Sequence, residues 1–315
     1  MWKDWFMAQA QVARDISYAP SGKGRGTRAL IRLMENATGR PGLIRRARGY
    51  DAEVALGADF WQVIGDRYGL TLDIIGGALD NIPATGPLVV VANHPYGILD
   101  GLMLGRMLSQ RRQGDFRILA NSVFTKPADI NRFILPINFD ETRAAAAQNL
   151  ATRRRALDYL AAGGAIGVFP GGTVSTSARP MSAPLDPVWR KFTAKMVAAT
   201  GATVVPVFFD GANSRMFQLA SHLHYSLRMG LLLREFKARA KKPVRVVVGK
   251  PVDPAMLETL RRDPKGCMDF LRKQTYALSP RPIDANKLGH EFEAKHRVRN
   301  GGGDLRQRIG RADRS

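Results

Sequence analysis

Apolar residues fall into two alternating patterns along this chain. Short runs at 70–75, 88–92, 116–120, 137–139, 165–169, 203–209 and 244–248 read as strands, and 88–92 and 203–209 read as strands buried in the core. Between and before them lie stretches with apolar positions three and four apart, at 28–37, 52–68, 101–108, 142–162, 188–200, 216–240 and 254–278, which read as helices. Gly39 and Pro41 are expected to end the first helix, and Asp100 is expected to cap the one after the 88–92 strand. Strands alternating with helices of this length predict an α/β fold, with a mainly parallel central sheet flanked by helices. The pattern divides the chain into an N-terminal helical, basic segment (1–69), an α/β domain (70–278) and a polar, basic tail (279–315) expected to be flexible. No internal repeat is visible.

Composition narrows what such a domain does. At 315 residues and 45% hydrophobic content the chain can bury a sizeable core, and the single Cys267 excludes an internal disulfide framework and a thiolate zinc cluster. The five histidines have no metal-ligand spacing, so neither a metal nor a cofactor is expected. Forty-eight Lys and Arg against 27 Asp and Glu give a formal charge of +21, which calls for a polyanionic partner. Zinc-finger spacing, RNA-recognition aromatics and a basic zipper are all lacking, which disfavours nucleic acid and leaves an anionic membrane surface or phosphate-bearing substrates.

No run reaches the roughly 18 apolar residues of a spanning helix, because His94, Asp100 and Arg106 break the longest candidate. Met1 to Met7 carries charge too early for a signal peptide. It does place Trp2, Trp5 and Phe6 on one helical face, and residues 1–50 hold ten Lys and Arg against three acids. Indole rings favour the headgroup layer and cations favour anionic lipid, so the N-terminal helix is expected to associate with a membrane.

Two segments carry candidate chemistry. The 88–92 strand delivers Asn93-His94, a Pro95-Tyr96-Gly97 turn follows, and Asp100 comes next. A histidine with an acid to fix its ring can take a proton from a substrate hydroxyl, although a lone His and Asp also occur as a satisfied histidine and a helix cap. The second segment, Phe169-Pro170-Gly171-Gly172-Thr173-Val174-Ser175-Thr176-Ser177-Ala178-Arg179, sets two glycines and a run of hydroxyls past a strand end. Backbone amides there can surround an anion, and parallel sheets place ligands at that edge. It lacks the spacing of a nucleotide P-loop.

In order along the chain, Asn93-His94…Asp100, Phe133-Ile134-Leu135-Pro136-Ile137-Asn138, Phe169-Pro170-Gly171-Gly172-Thr173-Val174-Ser175 and Val204-Val205-Pro206-Val207 resemble the glycerolipid acyltransferase family, which includes the lysophosphatidic acid acyltransferases. Gly211-Ala212-Asn213-Ser214-Arg215-Met216-Phe217 looks like the branch of bacterial proteins labelled hemolysins, some of which resemble acyltransferases of amino-acid-headed lipids. The resemblance implies direct acyl transfer from acyl-CoA or acyl carrier protein to the hydroxyl of a lysophospholipid or lyso-amino-lipid. It gives His94 the role of base and Asp100 that of orienting acid, with no acyl-enzyme. Asn93, Gly171, Gly172, Thr173 and Ser175 would bind substrate, and the enzyme would lie on the cytoplasmic face of the inner membrane. Two departures stand out. Five residues separate His94 from Asp100 where the family has four, and Gly171 and Val174 replace a Glu and an Arg that help position the acceptor. Arg132, Arg179 and Lys126 are candidates to restore the missing positive charge. The competing readings are a non-enzymatic basic protein that binds membrane or nucleic acid, and a thioester hydrolase.

Overall fold

A computed structural model describes residues 17–22, 24–122, 128–138 and 142–292. Trp2, Trp5, Phe6 and Lys126 lie outside them. Four helices come first: α1 (Arg25–Thr38), α2 (Arg40–Ala47), α3 (Tyr50–Ala55) and α4 (Phe60–Tyr68). Then follow β1 (Thr71–Gly77), β2 (Leu88–Ala92), α5 (Ile98–Arg112), β3 (Arg117–Asn121), α6 (Ala128–Asn131), β4 (Ile134–Ile137), α7 (Arg143–Ala161) and β5 (Ala165–Val168). A two-stranded hairpin, β6 (Thr176–Ser177) and β7 (Pro184–Leu185), precedes α8 (Phe192–Thr200) and β8 (Thr203–Phe209). The chain continues through α9 (Arg215–Leu223), α10 (Tyr225–Arg239), β9 (Pro243–Val248), α11 (Pro254–Thr259) and α12 (Pro264–Ala277).

The main sheet has seven strands in the order β1-β9-β8-β2-β5-β3-β4. Every pair is parallel except β8 with β9, which is antiparallel. β2 is central and wholly buried, and its side chains alternate between two cores. Leu88, Val90 and Ala92 join Trp61, Leu104, Phe116 and Val205 on one face, while Val89 and Val91 join Ile166, Trp189, Met196 and Leu271 on the other. Burial on both faces explains why this strand is continuously apolar. Each of its valines stabilises the fold by about 1.5 kcal/mol relative to an exposed one.

Several expected elements differ, each for a local reason. The 52–68 helix is two helices, because Gly57 adopts φ +95° and Asp59 then caps α4 through the Gln62 amide. The 216–240 helix breaks at His224, which is extended and caps α10 with its own ring. The 254–278 helix breaks at Asp263, whose carboxylate accepts from the amides of Lys265 and Gly266. Pro41 opens α2 instead of ending α1, since a proline costs nothing in a first turn. The helix expected from 188 starts at Phe192, and the strand expected at 137–139 is Ile134–Ile137, three residues earlier, in register with β3. The N-terminal helices share the domain's core: Trp61 of α4 fills a notch at Gly105 of α5, where a Cβ would lie 2.2 Å from its ring. At the other end, residues 279–292 pack on the domain, with Leu288 buried and Glu291 paired with both terminal nitrogens of Arg190. Among the described residues no helix is long and apolar enough to cross a membrane.

Candidate active site

The C-terminal ends of three adjacent strands, β5, β2 and β8, converge on one edge of the sheet, where an open parallel sheet leaves its crevice. β2 delivers Asn93 and His94. Asn93 spends both amide atoms on the neighbouring strand end: Nδ2 donates to the Phe209 carbonyl at 3.0 Å and Oδ1 accepts from the Phe209 amide at 2.7 Å. It clamps β2 to β8 and holds the next residue in place.

His94 and Asp100 come together despite the longer spacing. Gly97, at φ +90°, turns the chain so that α5 starts at Ile98; Gly97 takes the N-cap position expected for Asp100, and Asp100 caps from the third helical position instead. Its Oδ2 reaches back to accept from the amides of Tyr96 (2.7 Å) and Gly97 (3.0 Å) and lies 3.1 Å from His94 Nδ1. The left-handed Gly97 absorbs the extra residue. Burial pushes the Asp100 carboxyl above its usual range, and the His94 ring and the two amides oppose that shift. The His94 ring stacks on Phe169, the residue just past β5, at 4.2 Å between centroids. Nδ1 is enclosed, the side chain keeps 19% exposure, and no described group hydrogen-bonds Nε2. An imidazole held in this way can accept a proton at Nε2 while the carboxylate stabilises the resulting cation.

The glycine segment runs alongside. The Ser175 amide donates to the His94 carbonyl at 2.7 Å. Gly172, at φ +70°, closes a turn by donating to the Phe169 carbonyl. The amides of Gly171, Thr173 and Val174 donate to no described acceptor, leaving the segment able to receive an anion. Ser175 itself gives its hydroxyl proton to Asp186.

Asp186 and Arg228, which sequence reasoning did not single out, supply charge to this segment. Asp186 is fully buried. Its Oδ1 also accepts from the His94 amide at 3.2 Å, its Oδ2 accepts from Trp189 Nε1, and its carboxylate packs where a Cβ on Gly171 would point. An acid is absent at 171, yet a carboxylate arrives there from the residue just past β7. Arg228, on α10, is buried with no carboxylate partner among the described residues. Its guanidinium donates to the Thr173 and Thr176 hydroxyls, Ser221 Oγ and the Val174 carbonyl, and it lies between the rings of Phe217 and Phe292. Burial without a counter-ion pulls it down to about 9. A cation is absent at 174, and this one reaches the same loop from 54 residues away. Only its position inside an apolar helix, between Leu227 and Met229, could have flagged it; Asp186 carried no such signal.

Arg179 lies exposed in the turn after β6, and Ser182 Oγ accepts its amide. Arg132 is not brought to this cluster: it precedes β4, at the opposite end of the strands and three strands away from β2, and stacks on Phe133. The physical reason is direction, since parallel strands present their starts to one edge of the sheet and their ends to the other.

These residues lie within a match to the acyltransferase family that spans residues 58–286, and the chain belongs to that family. It is 25% identical to a lyso-glycine lipid O-acyltransferase of Phocaeicola vulgatus over 234 residues, which cover 72% of this chain and 80% of that protein. A second lyso-glycine lipid O-acyltransferase, from Bacteroides thetaiotaomicron, is 26% identical over 237 residues, with 71% and 80% covered. Among solved structures, the 1-acyl-sn-glycerophosphate acyltransferase PlsC of Thermotoga maritima aligns at 19% identity and a TM-score of 0.44, covering 81% of this chain and 98% of its own.

Proposed function

We propose that this chain moves an acyl group from a thioester donor to the hydroxyl of a lyso-lipid with an anionic head, a lyso-amino-acid lipid in preference to lysophosphatidate. The observation that carries the reading is the His94–Asp100 pair, with Nε2 open, beside a loop whose Gly171, Thr173 and Val174 amides await an acceptor. The names of the two curated relatives point to a carboxylate-bearing acceptor, and backbone amides near a buried guanidinium suit a carboxylate.

In the proposed reaction His94 Nε2 takes the hydroxyl proton as the oxygen attacks the thioester carbonyl. The carbon–sulfur bond then breaks, and the thiolate recovers the proton from the imidazolium. The products are an ester and a free thiol, with no covalent enzyme intermediate. Asp100 stabilises the imidazolium that forms between the two transfers. Coenzyme A and acyl carrier protein are both anionic and both suit a chain of charge +21. Such donors lie inside the cell, and the proposed reaction accordingly runs at the cytoplasmic face of the membrane that holds the acceptor.

The test is His94→Ala, assayed with an acyl thioester and a lyso-glycine lipid, with thiol release and lipid product both followed. Transfer should fall by about 10²–10⁴-fold with the thermal midpoint unchanged. Near-wild-type transfer by the variant refutes the assignment, and free fatty acid as the wild-type product replaces it with a hydrolase.

A further inference from the structure

The inner face of α9 covers the segment beside the site. Gln218 accepts from the Ser177 amide at 3.0 Å, His222 Nε2 lies 2.9 Å from the Ser177 carbonyl, and Phe217 packs with Val174. Its outer face is a different surface. Met216, Leu219 and Leu223 follow one another at three and four residues, and Tyr225 stands just beyond them at the start of α10. These four are between 43% and 76% exposed, as is Met181 in the β6–β7 turn, which Arg215 contacts through its sulfur at 3.5 Å. Half of the large exposed apolar side chains among the described residues fall in this one region.

The surrounding charge has one sign. Between 171 and 235 the chain carries three acids, Asp186, Asp210 and Glu235, and all three are buried. Arg179 and Arg215 are exposed around the apolar residues. A helix with a continuous apolar outer stripe, a cationic rim and a tyrosine at its edge has the make-up of one lying in the headgroup layer of an anionic bilayer. A protein partner would need acidic residues to match the rim and a cavity to take each side chain. A fluid hydrocarbon layer needs neither.

We infer that the outer face of α9, with Met181 and Tyr225, is the surface by which this protein docks on an anionic phospholipid bilayer. Docked there, α9 holds the Gly171–Ser177 segment about one helix diameter, ~10 Å, from the leaflet, so the head of an acceptor can reach the site while its chain stays in lipid. The choice of occupant rests on the acceptor being a lipid, as proposed above.

The full chain is to be sedimented with phosphatidylcholine vesicles with and without phosphatidylglycerol. The wild type should bind the anionic vesicles and release them as salt is raised. The triple substitution Met216→Gln, Leu219→Gln, Leu223→Gln should lower partitioning at least about tenfold, because three apolar side chains leave the hydrocarbon. It should leave transfer to a short-chain lyso-acceptor below its micelle concentration unchanged. A second readout does not depend on the triple variant's fold: Cys267 is buried, so an environment-sensitive fluorophore on Leu219→Cys reports that position, and its emission should shift to the blue when anionic vesicles are added. Undiminished binding by the triple variant overturns the inference, as does an unshifted fluorophore. It is also overturned if Leu30→Gln with Leu33→Gln, on the exposed side of α1, or replacement of Trp2, Trp5 and Phe6, removes the binding that the α9 variant keeps, or if the α9 variant alters only self-association. Failure of the functional reading looks different: vesicle binding that needs α9 in a chain that transfers no acyl group.

Discussion

Replacing Asp100 by Asn separates the two jobs that its buried Oδ2 performs. One is structural, accepting the Tyr96 and Gly97 amides; the other is electrostatic, facing His94 Nδ1 at 3.1 Å. An asparagine oxygen in the same place keeps both amides and can still accept from Nδ1, so the turn and the ring orientation survive. What goes is the charge. At 3.1 Å, with an effective dielectric constant between about 20 and 40, attraction between carboxylate and imidazolium is about 3–5 kcal/mol, because the ring is partly open to water. That attraction exists only once His94 has taken a proton, so it lowers the barrier and not the ground state. Asp100→Asn should therefore reduce kcat by about 10²–10⁴-fold with little change in thermal midpoint. Asp100→Ala removes the acceptor as well, leaves two buried amides unpaired at about 1–3 kcal/mol each, and should lower both kcat and the midpoint. The assay is thiol release from a saturating acyl thioester, run beside a thermal melt of each variant. An Asn variant that retains more than about a tenth of wild-type kcat would refute the charge argument. An Ala variant as stable as wild type would refute the structural one.

Other changes test neighbouring parts of the same argument. Asn93→Ala leaves the Phe209 amide and carbonyl unpaired in the core and should cost about 2–4 kcal/mol of unfolding free energy in denaturant melts, so a loss below about half of that would show that the clamp is dispensable. Arg228→Lys keeps a cation but cannot reach the Thr173, Val174, Thr176 and Ser221 oxygens together; KM for the acceptor should rise while KM for the thioester holds, and an equal rise in both would remove Arg228 from acceptor positioning. Glu35 is buried on α1, accepting from Ser17 Oγ and the Tyr18 amide, and burial raises its carboxyl above the usual range. With the folded value above the unfolded one, its stabilising contribution is full below about pH 4 and is lost as pH rises through the folded value. Glu35→Gln should flatten that fall, and an unaltered midpoint-versus-pH curve would contradict it.

The pattern of the chain by itself determined most strands of the main sheet and the two anchors of the candidate site. Apolar runs marked the strands that meet at the site because β2, β5 and β8 are buried on both faces, and a strand with no wet side can carry no alternation to disguise it. His94 and the Gly171-Gly172 pair were legible for a related reason: each directly follows such a strand, and parallel strands end at a common edge. Helix breaks at Gly57, His224 and Asp263 were hidden because the apolar spacing continues across them while the backbone turns. Tertiary structure alone decided whether the His94-to-Asp100 spacing closes, since that depends on a positive φ at Gly97 and on two amides that pull the carboxylate back. It alone brought Asp186 and Arg228 to the glycine segment and left Arg132 at the far edge. Charge in a buried site is shared through space, and a carboxylate or guanidinium delivered from another element acts on the loop as one in the loop would, but its sequence position carries no trace of the distance it will cross.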